Sequence, residues 1–187
     1  MKKRHVEHVL RAASDITGEK QFVVVGSQAL HAKFPDVADE IVMSVEVDLI
    51  AKRNVDRTEW LNAIGQDSQF HVTYGYYADP VDESTSVLPK GWKARLVNLV
   101  AADVTGLCLD PHDLAIAKYV ARREKDLQFT RALARRGYTR RERLLELLKV
   151  TSVGKEIRAR IERDIDADFQ PPGPALRKRV AKKASRP

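Results

Sequence analysis

The sequence predicts a mixed α+β fold, in which a small mixed sheet is flanked by helices and followed by a C-terminal helical part. Short β-branched or alternating segments recur between residues 20 and 109, whereas residues from 110 onward show helical spacing of apolar side chains. The chain has 187 residues, of which 43% are hydrophobic, enough for one buried core. We therefore expect a core over 1–109, a helical part packed on it over 110–169, and a basic flexible tail over 170–187.

The N-terminal half is expected to alternate helices and strands. Apolar residues at helical spacing predict a helix over 5–14, and a β-branched run predicts a strand over 21–25 that is buried on both faces. A glycine–serine turn follows, and then a predicted helix over 28–34 that ends before Pro35. Alternating side chains predict a second strand over 42–50. Further expected elements are a helix over 57–64 and strands over 70–77, 92–100 and 105–109.

Four helices are predicted after the sheet. Asp110 as N-cap, with Pro111 at the first helical position, indicates a helix over 111–123. Thr139 and Glu142 have the spacing of a capping box, which predicts the start of another helix. The remaining helix bounds are expected at 126–136, 139–149 and 152–168.

The sequence gives no indication of membrane insertion or secretion. No apolar run approaches the roughly 18–20 residues that a membrane-spanning helix needs, and no signal-peptide pattern follows the basic N-terminus. The single cysteine, Cys108, excludes an intramolecular disulfide framework and a multi-cysteine zinc site, and its apolar neighbours predict a buried thiol. We therefore expect a cytoplasmic protein with no membrane partner.

Charge is distributed unevenly along the chain. Residues 1–117 hold 12 Lys/Arg and 17 Asp/Glu, whereas residues 118–187 hold 21 and 9, so the two parts carry net charges of −5 and +12. The acidic part suits metal ions, and the basic part suits a polyanion. Residues 176–187 carry six positive charges and no negative ones, which is typical of a nucleic-acid-binding tail or of a solubilising one.

The most informative feature is a pair of acids in one predicted strand. Glu46 and Asp48 are separated by one residue, so both carboxylates project from the same face of the strand, roughly 6–7 Å apart. Two such carboxylates repel each other unless a cation lies between them, and Mg²⁺ prefers oxygen ligands. The pair therefore indicates a metal site, with the solvated face of an edge strand as the alternative.

Two further features suggest contacts with phosphate. Gly26 and Ser27 lie between a strand and a helix, where free backbone amides bind anions, although this dipeptide taken alone favours an ordinary N-cap serine. Lys118 lies in the apolar helical segment 114–121, so its ammonium either snorkels to solvent or contacts an anion. Arg122, one turn later, is placed to contact the same ligand.

Together these motifs resemble the nucleotidyltransferase fold, whose pattern is a strand, a Gly-Ser turn, a helix, and a strand with two acids separated by one residue. The corresponding residues here are Gly26, Ser27, Glu46 and Asp48. The later segment 109–126 is similar to a bacterial branch of that superfamily, related to the toxin component of abortive-infection (AbiEii-like) toxin–antitoxin systems.

The resemblance covers about residues 20–136 and implies a set of roles. It implies Mg²⁺ or Mn²⁺ held by Glu46 and Asp48, nucleoside triphosphate bound by Gly26, Ser27, Lys118 and Arg122, and catalytic roles for Glu46, Asp48, Lys118 and Asp126. A third carboxylate is common in the superfamily, but the sequence does not locate it, since Asp103 precedes a turn.

One geometric condition follows for the helical segment. In a single continuous helix over 111–136, Lys118 and Asp126 would lie about 12 Å apart along the axis. A break near Glu124 is therefore required before both side chains can serve one site.

The leading hypothesis is a metal-dependent nucleotidyltransferase that moves a nucleoside monophosphate from a nucleoside triphosphate to an RNA, tRNA included, or to a protein. As a toxin it would have an antitoxin protein as partner. The alternative is a catalytically weakened member of the fold that binds nucleic acid or a partner protein. A modifier of small molecules is disfavoured by the +12 charge of residues 118–187.

Overall fold

The computed structural model describes residues 1–170 and confirms the predicted mixed α+β class. A five-stranded mixed sheet is flanked by helices, and four helices follow it. The predicted basic tail, apart from Gln170, lies outside the described residues. No helix within residues 1–170 is long and apolar enough to cross a membrane.

The sheet contains five short strands in the spatial order β3-β2-β1-β5-β4. Their bounds are β1 Gln21–Val24, β2 Glu46–Ala51, β3 Tyr77–Pro80, β4 Val97–Ala101 and β5 Val104–Cys108. The pairs β1/β2 and β4/β5 are antiparallel, whereas β1/β5 and β2/β3 are parallel. Strand β1 is central, which explains its run of buried β-branched and aromatic side chains.

The helices cover the sheet and form the C-terminal part. Their bounds are α1 Lys3–Thr17, α2 Gln69–Tyr74, α3 Pro111–Ala121, α4 Glu124–Arg135, α5 Arg141–Lys149 and α6 Lys155–Phe169. Shorter 3₁₀ helices occupy Ser27–Ala32, Val55–Ile64, Glu83–Thr85 and Trp92–Arg95. Helix α3 is buried over most of its length, as its apolar composition predicts, and its predicted N-cap is present because the Asp110 carboxylate accepts from the His112 amide.

The stretch over 70–77 is the clearest error of the sequence prediction. It was expected to be a strand, but α2 occupies Gln69–Tyr74 and β3 begins only at Tyr77. The Ser68 hydroxyl caps the helix by accepting from the His71 amide, and Gly75 ends it with a φ of 74°. These two local signals outweigh the alternating pattern of aromatic and β-branched residues.

Smaller differences occur at other boundaries. Strand β2 begins at Glu46 rather than at residue 42, and the predicted helices over 28–34 and 57–64 are 3₁₀ helices. The capping box predicted for α5 is wrong. The N-cap is Arg140 without a side-chain bond, and the Thr139 hydroxyl is buried with no partner among residues 1–170.

One core extends from the sheet into the helical part. It joins α1, one face of the sheet, and the inner sides of α3, α4, α5 and α6. Cys108, at the end of β5, is fully buried as expected, and this burial raises the pKa of its thiol to about 12. A thiol in that environment is inert at neutral pH.

Candidate functional site

Three carboxylates gather at the start of the neighbouring strands β2 and β3. Glu46 and Asp48 project from the partly exposed face of β2, while Val47 and Leu49 between and beyond them are buried. The parallel register places Asp48 opposite Asp79 of β3. All three acids line a cavity of about 590 Å³, which we call the acid cavity.

The acids of the acid cavity influence one another electrostatically. Burial raises the pKa of Asp48 to about 6, with further contributions from the charges of Asp79 and Glu46, while the positive charge of Lys118 acts in the opposite direction. Burial, followed by the charge of Glu46, also raises the pKa of Asp79. At neutral pH the site therefore holds negative charge that repels itself.

The Gly26–Ser27 turn meets the acid pair directly. A Cβ atom at Gly26 would lie 1.6 Å from Asp48 Oδ2, so only glycine leaves room for that carboxylate. Ser27 lines the acid cavity and begins the 3₁₀ helix Ser27–Ala32. Since this helix has only six residues, its contribution to anion binding would come from the Ser27 amide and hydroxyl rather than from a long helix dipole.

The break required between Lys118 and Asp126 is present. Helix α3 ends at Ala121, Arg122 has a left-handed φ of 55°, and α4 starts at Glu124. The turn brings Lys118 Nζ to 3.4 Å from Asp126 Oδ1, and both residues line the acid cavity.

Lys118 and Asp126 are both held by neighbouring groups. The Lys118 side chain is 24% exposed, and its ammonium lies over the Phe129 ring, 5.9 Å from the ring centre. Asp126 is buried and also accepts from Arg123 Nε at 2.7 Å. Burial disfavours its ionisation, but the hydrogen bond of Arg123 and the charge of Lys118 outweigh burial and lower its pKa.

Arg122 is the one predicted site residue that the structure directs elsewhere. Its left-handed backbone turns the side chain toward α6, where Nε donates to Asp164 at 3.0 Å. The next residue, Arg123, lines the acid cavity instead. A helix continued through residue 122 was the basis for placing Arg122 beside Lys118, and the break at that residue removes it.

Comparison with known protein families agrees with the fold described above. A family model described as "Nucleotidyltransferase of unknown function (DUF6036)" matches residues 4–167. The chain belongs to this nucleotidyltransferase family. The match covers the strands, the turn and nearly all of the helical part, so it extends well beyond the motifs at 20–136. Searches of curated proteins and of solved structures returned no match.

Asp79 is the residue that the sequence interpretation of this nucleotidyltransferase missed. Because 70–77 was assigned to a strand, Asp79 fell in the following loop and was not considered for the third carboxylate. The usable signal was Gly75, which ends a helix, followed by the segment 77–80 with an acid at its third position. With that strand placed beside β2, Asp79 takes its position opposite Asp48.

The donor set of the acid cavity fits a hard divalent cation. Carboxylate oxygens are the ligands that Mg²⁺ and Mn²⁺ prefer. Burial is the main cause of the raised pKa of Asp48, and a bound cation would relieve the repulsion from Asp79 and Glu46 that adds to it. With the side chains as they stand, no group of three or more His, Cys, Asp or Glu within residues 1–170 is arranged to hold a metal ion.

Proposed function

We propose that this family member is a metal-dependent nucleotidyltransferase that moves a nucleoside monophosphate from a nucleoside triphosphate to a hydroxyl of an RNA, tRNA included, or of a protein. One observation carries the proposal. Glu46, Asp48 and Asp79 line one cavity that also contains the Lys118 ammonium and Ser27. Negative groups that can hold a cation therefore share one cavity with groups that can hold phosphate.

Glu46, Asp48 and Asp79 would hold Mg²⁺ or Mn²⁺. When bound, the ion would neutralise phosphate charge and lower the pKa of the acceptor hydroxyl. Gly26 supports this arrangement because its missing side chain leaves the space that the Asp48 carboxylate occupies.

The positive side chains of the acid cavity would act on the triphosphate. In the transfer, the acceptor oxygen bonds the α-phosphorus, the bond from that phosphorus to the diphosphate oxygen breaks, and the acceptor proton is released to solvent. Lys118 and Arg123 would stabilise the charge that develops on the departing diphosphate. Asp126 would keep both cations in place, since it contacts each of them.

The biological setting is part of the proposal. The resemblance of the segment 109–126 to the abortive-infection branch supports a toxin role with an antitoxin protein as partner. The single buried cysteine supports a cytoplasmic location.

A second candidate function is a member of the family that binds nucleic acid or protein without transfer. It is favoured by the absence, within residues 1–170, of three side chains already arranged around a metal position, and by the two ion pairs that engage Asp126.

Transfer of radiolabel distinguishes the two candidates. Each of the four nucleoside triphosphates, labelled at the α-phosphate, is incubated with the full chain, Mg²⁺ or Mn²⁺, and total cellular RNA or protein. We expect label on one of these acceptors, no label with EDTA, and no label with the Asp48→Asn chain. Binding of nucleotide or RNA without any label under these conditions would support the second candidate and contradict the first.

A further inference from the structure

A second cavity of about 570 Å³ runs along α4 beside the acid cavity. It is lined by Glu40, Gln128, Arg131, Ala132, Arg135 and Arg136. Three of these residues, Glu40, Gln128 and Ala132, also line the acid cavity. The two cavities therefore form one continuous depression, and we call its outer part the α4 groove.

The α4 groove has a high density of positive charge. Arg135 is exposed, and no carboxylate within residues 1–170 pairs with it. Arg131 donates to the buried Asp168, yet 52% of its side chain remains exposed. A guanidinium has five N–H donors, so one such pair leaves most of them available to another anion. Three arginines within six residues thus face the same depression.

The third arginine, Arg136, is engaged by an acid from another part of the chain. Its Nη2 and Nε donate to Glu40 Oε1 at 2.8 and 3.0 Å. Glu40 lies in the segment between Ala32 and Glu46 and is itself 57% exposed. An exposed pair of this kind is weak, so a phosphate can displace the carboxylate at little cost.

We propose that the α4 groove binds the phosphate backbone of an RNA strand whose end enters the acid cavity, and that Glu40 occupies Arg136 in place of a phosphate when RNA is absent. This inference rests on the proposed nucleotidyltransferase function and selects RNA as the acceptor. It also assigns a role to the arginines of the α4 groove, for which the proposed transfer reaction by itself requires none.

The length and chemistry of the α4 groove favour a polyanion over a protein. Lys125, in the acid cavity, and Arg135 are ten residues apart on α4, which corresponds to about 15 Å. At about 3.4 Å per phosphate in a stacked strand, this distance spans roughly four phosphates. Ala132 is the single apolar residue among those lining the groove within residues 1–170, whereas docked proteins rely on buried apolar anchors.

The test measures RNA affinity without transfer. A 5′-fluorescein single-stranded RNA of about twenty nucleotides is titrated with the full chain in EDTA at several salt concentrations, and anisotropy is recorded. The variant Arg135→Gln/Arg136→Gln is compared with the control Lys52→Gln/Arg53→Gln. The control also removes two exposed positive charges, but they follow the C-terminal end of β2, whereas Glu46 and Asp48 lie toward its start. Thermal midpoints by circular dichroism establish that each variant is folded.

We expect the groove variant to lose about tenfold in affinity and its salt slope to fall by about 1.4, with a smaller loss for the control variant. Glu40→Gln should bind RNA about threefold more tightly, because it frees Arg136 without removing positive charge. This second variant keeps the test decisive if the double variant fails to fold. A groove variant no weaker than the control, or a Glu40→Gln chain no tighter than wild type, would overturn the proposal.

The transfer assay separates this inference from the proposed function. RNA affinity that depends on the groove in a chain that transfers nothing would refute the transfer function and leave the groove intact. Label that appears only on protein, with groove variants as active as wild type, would refute the groove and leave the transfer function intact.

Discussion

Acidic side chains have opposite surroundings in the two halves of the molecule. In the helical part, the buried carboxylates of Asp113, Asp126 and Asp168 each pair with at least one cation. On the sheet, Asp48 and Asp79 face each other, and no cation within residues 1–170 lies within ion-pair distance of either. The helical acids therefore have countercharges supplied by the fold, whereas the strand acids have none within ion-pair distance among residues 1–170.

The helical acids connect separate elements. Asp113 of α3 accepts from Arg95 Nε and Nη2 at 2.8 and 2.7 Å and so ties α3 to the segment before β4. Asp168 of α6 accepts from three donors on two other helices, namely Tyr119, Thr130 and Arg131. Buried carboxylates with such partners hold the helical part in one arrangement.

The strand acids do the reverse, because they add repulsion to the native state. Burial together with Asp79 and Glu46 raises the pKa of Asp48, which means that the folded protein disfavours the charge it carries at neutral pH. Clustered acids with shifted pKa values in a cavity are typical of functional sites. The contrast between the two halves therefore separates acids that connect elements of the fold from acids that we propose hold a cation.

The largest expected effect concerns the paired acids. Arg95→Met leaves the fully buried Asp113 without its cation, so the free energy of unfolding should fall by about 3–5 kcal/mol, as measured by urea denaturation. Lys93→Met is the control, since it removes an exposed pair with Glu83 and should cost less than about 1 kcal/mol. Equal losses for the two variants would show that Asp113 does not depend on its partner.

The second prediction tests whether the Lys118 ammonium, which lines the acid cavity, takes part in catalysis. Lys118→Met removes a charge that faces both the strand acids and Asp126, which keeps its pairing with Arg123. The transfer rate should fall about a hundredfold or more, and the loss should lie in kcat rather than in nucleotide affinity. Single-turnover transfer of α-labelled nucleotide measures it. If the variant retained the wild-type rate, Lys118 would have no role in catalysis.

The third prediction uses the pH dependence of the strand acids. The pKa of Asp48 is higher in the folded chain, about 6, than in the unfolded chain, so the native state binds more protons and stability falls as pH rises between about 4 and 6. In EDTA at pH 8, Asp48→Asn should therefore raise the free energy of unfolding by about 2–3 kcal/mol. Below pH 4 the difference should disappear.

Asp103→Asn is the matched control for this measurement. The hydrogen bond of Lys20 lowers the pKa of Asp103, so its carboxylate stabilises the folded chain above pH 4 and its removal should not increase stability. If both variants raised the free energy of unfolding at pH 8 by the same amount, general loss of negative charge would explain the result. The repulsion within the acid cavity would then have no part in it.

Long-range pairing explains which parts of this fold were predictable. The strands β1 and β5, helix α3 and the acids Glu46 and Asp48 follow from local periodicity, capping and spacing, and the structure has all of them. The position of Asp79 depends on how β3 pairs with β2, and no local pattern specifies a strand pairing. Sequence reasoning therefore located the acids of β2 but not Asp79, whose place in the acid cavity depends on the pairing of two strands.

The α3–α4 junction is a second feature that the sequence predicted only in part. The need for a break followed from helix geometry, but its position was expected near Glu124 and lies at Arg122. A residue other than glycine rarely adopts a positive φ, so no local pattern pointed to a turn at Arg122. Moving the break by two residues decides which of the two adjacent arginines faces the acid cavity.

The smallest expected effect tests that assignment. Arg122→Met should change the transfer rate by less than about twofold, because the side chain pairs with Asp164 on α6 and not with a group of the acid cavity. The exposed pair should contribute less than about 1 kcal/mol to the free energy of unfolding. Arg123→Met, one residue along, removes a donor to Asp126 and a charge that lines the acid cavity, so it should slow transfer at least tenfold. If Arg122→Met were the slower enzyme in the same single-turnover assay, α3 would continue past residue 121 in the active state. The acid cavity would then be completed by a helical arrangement different from this one.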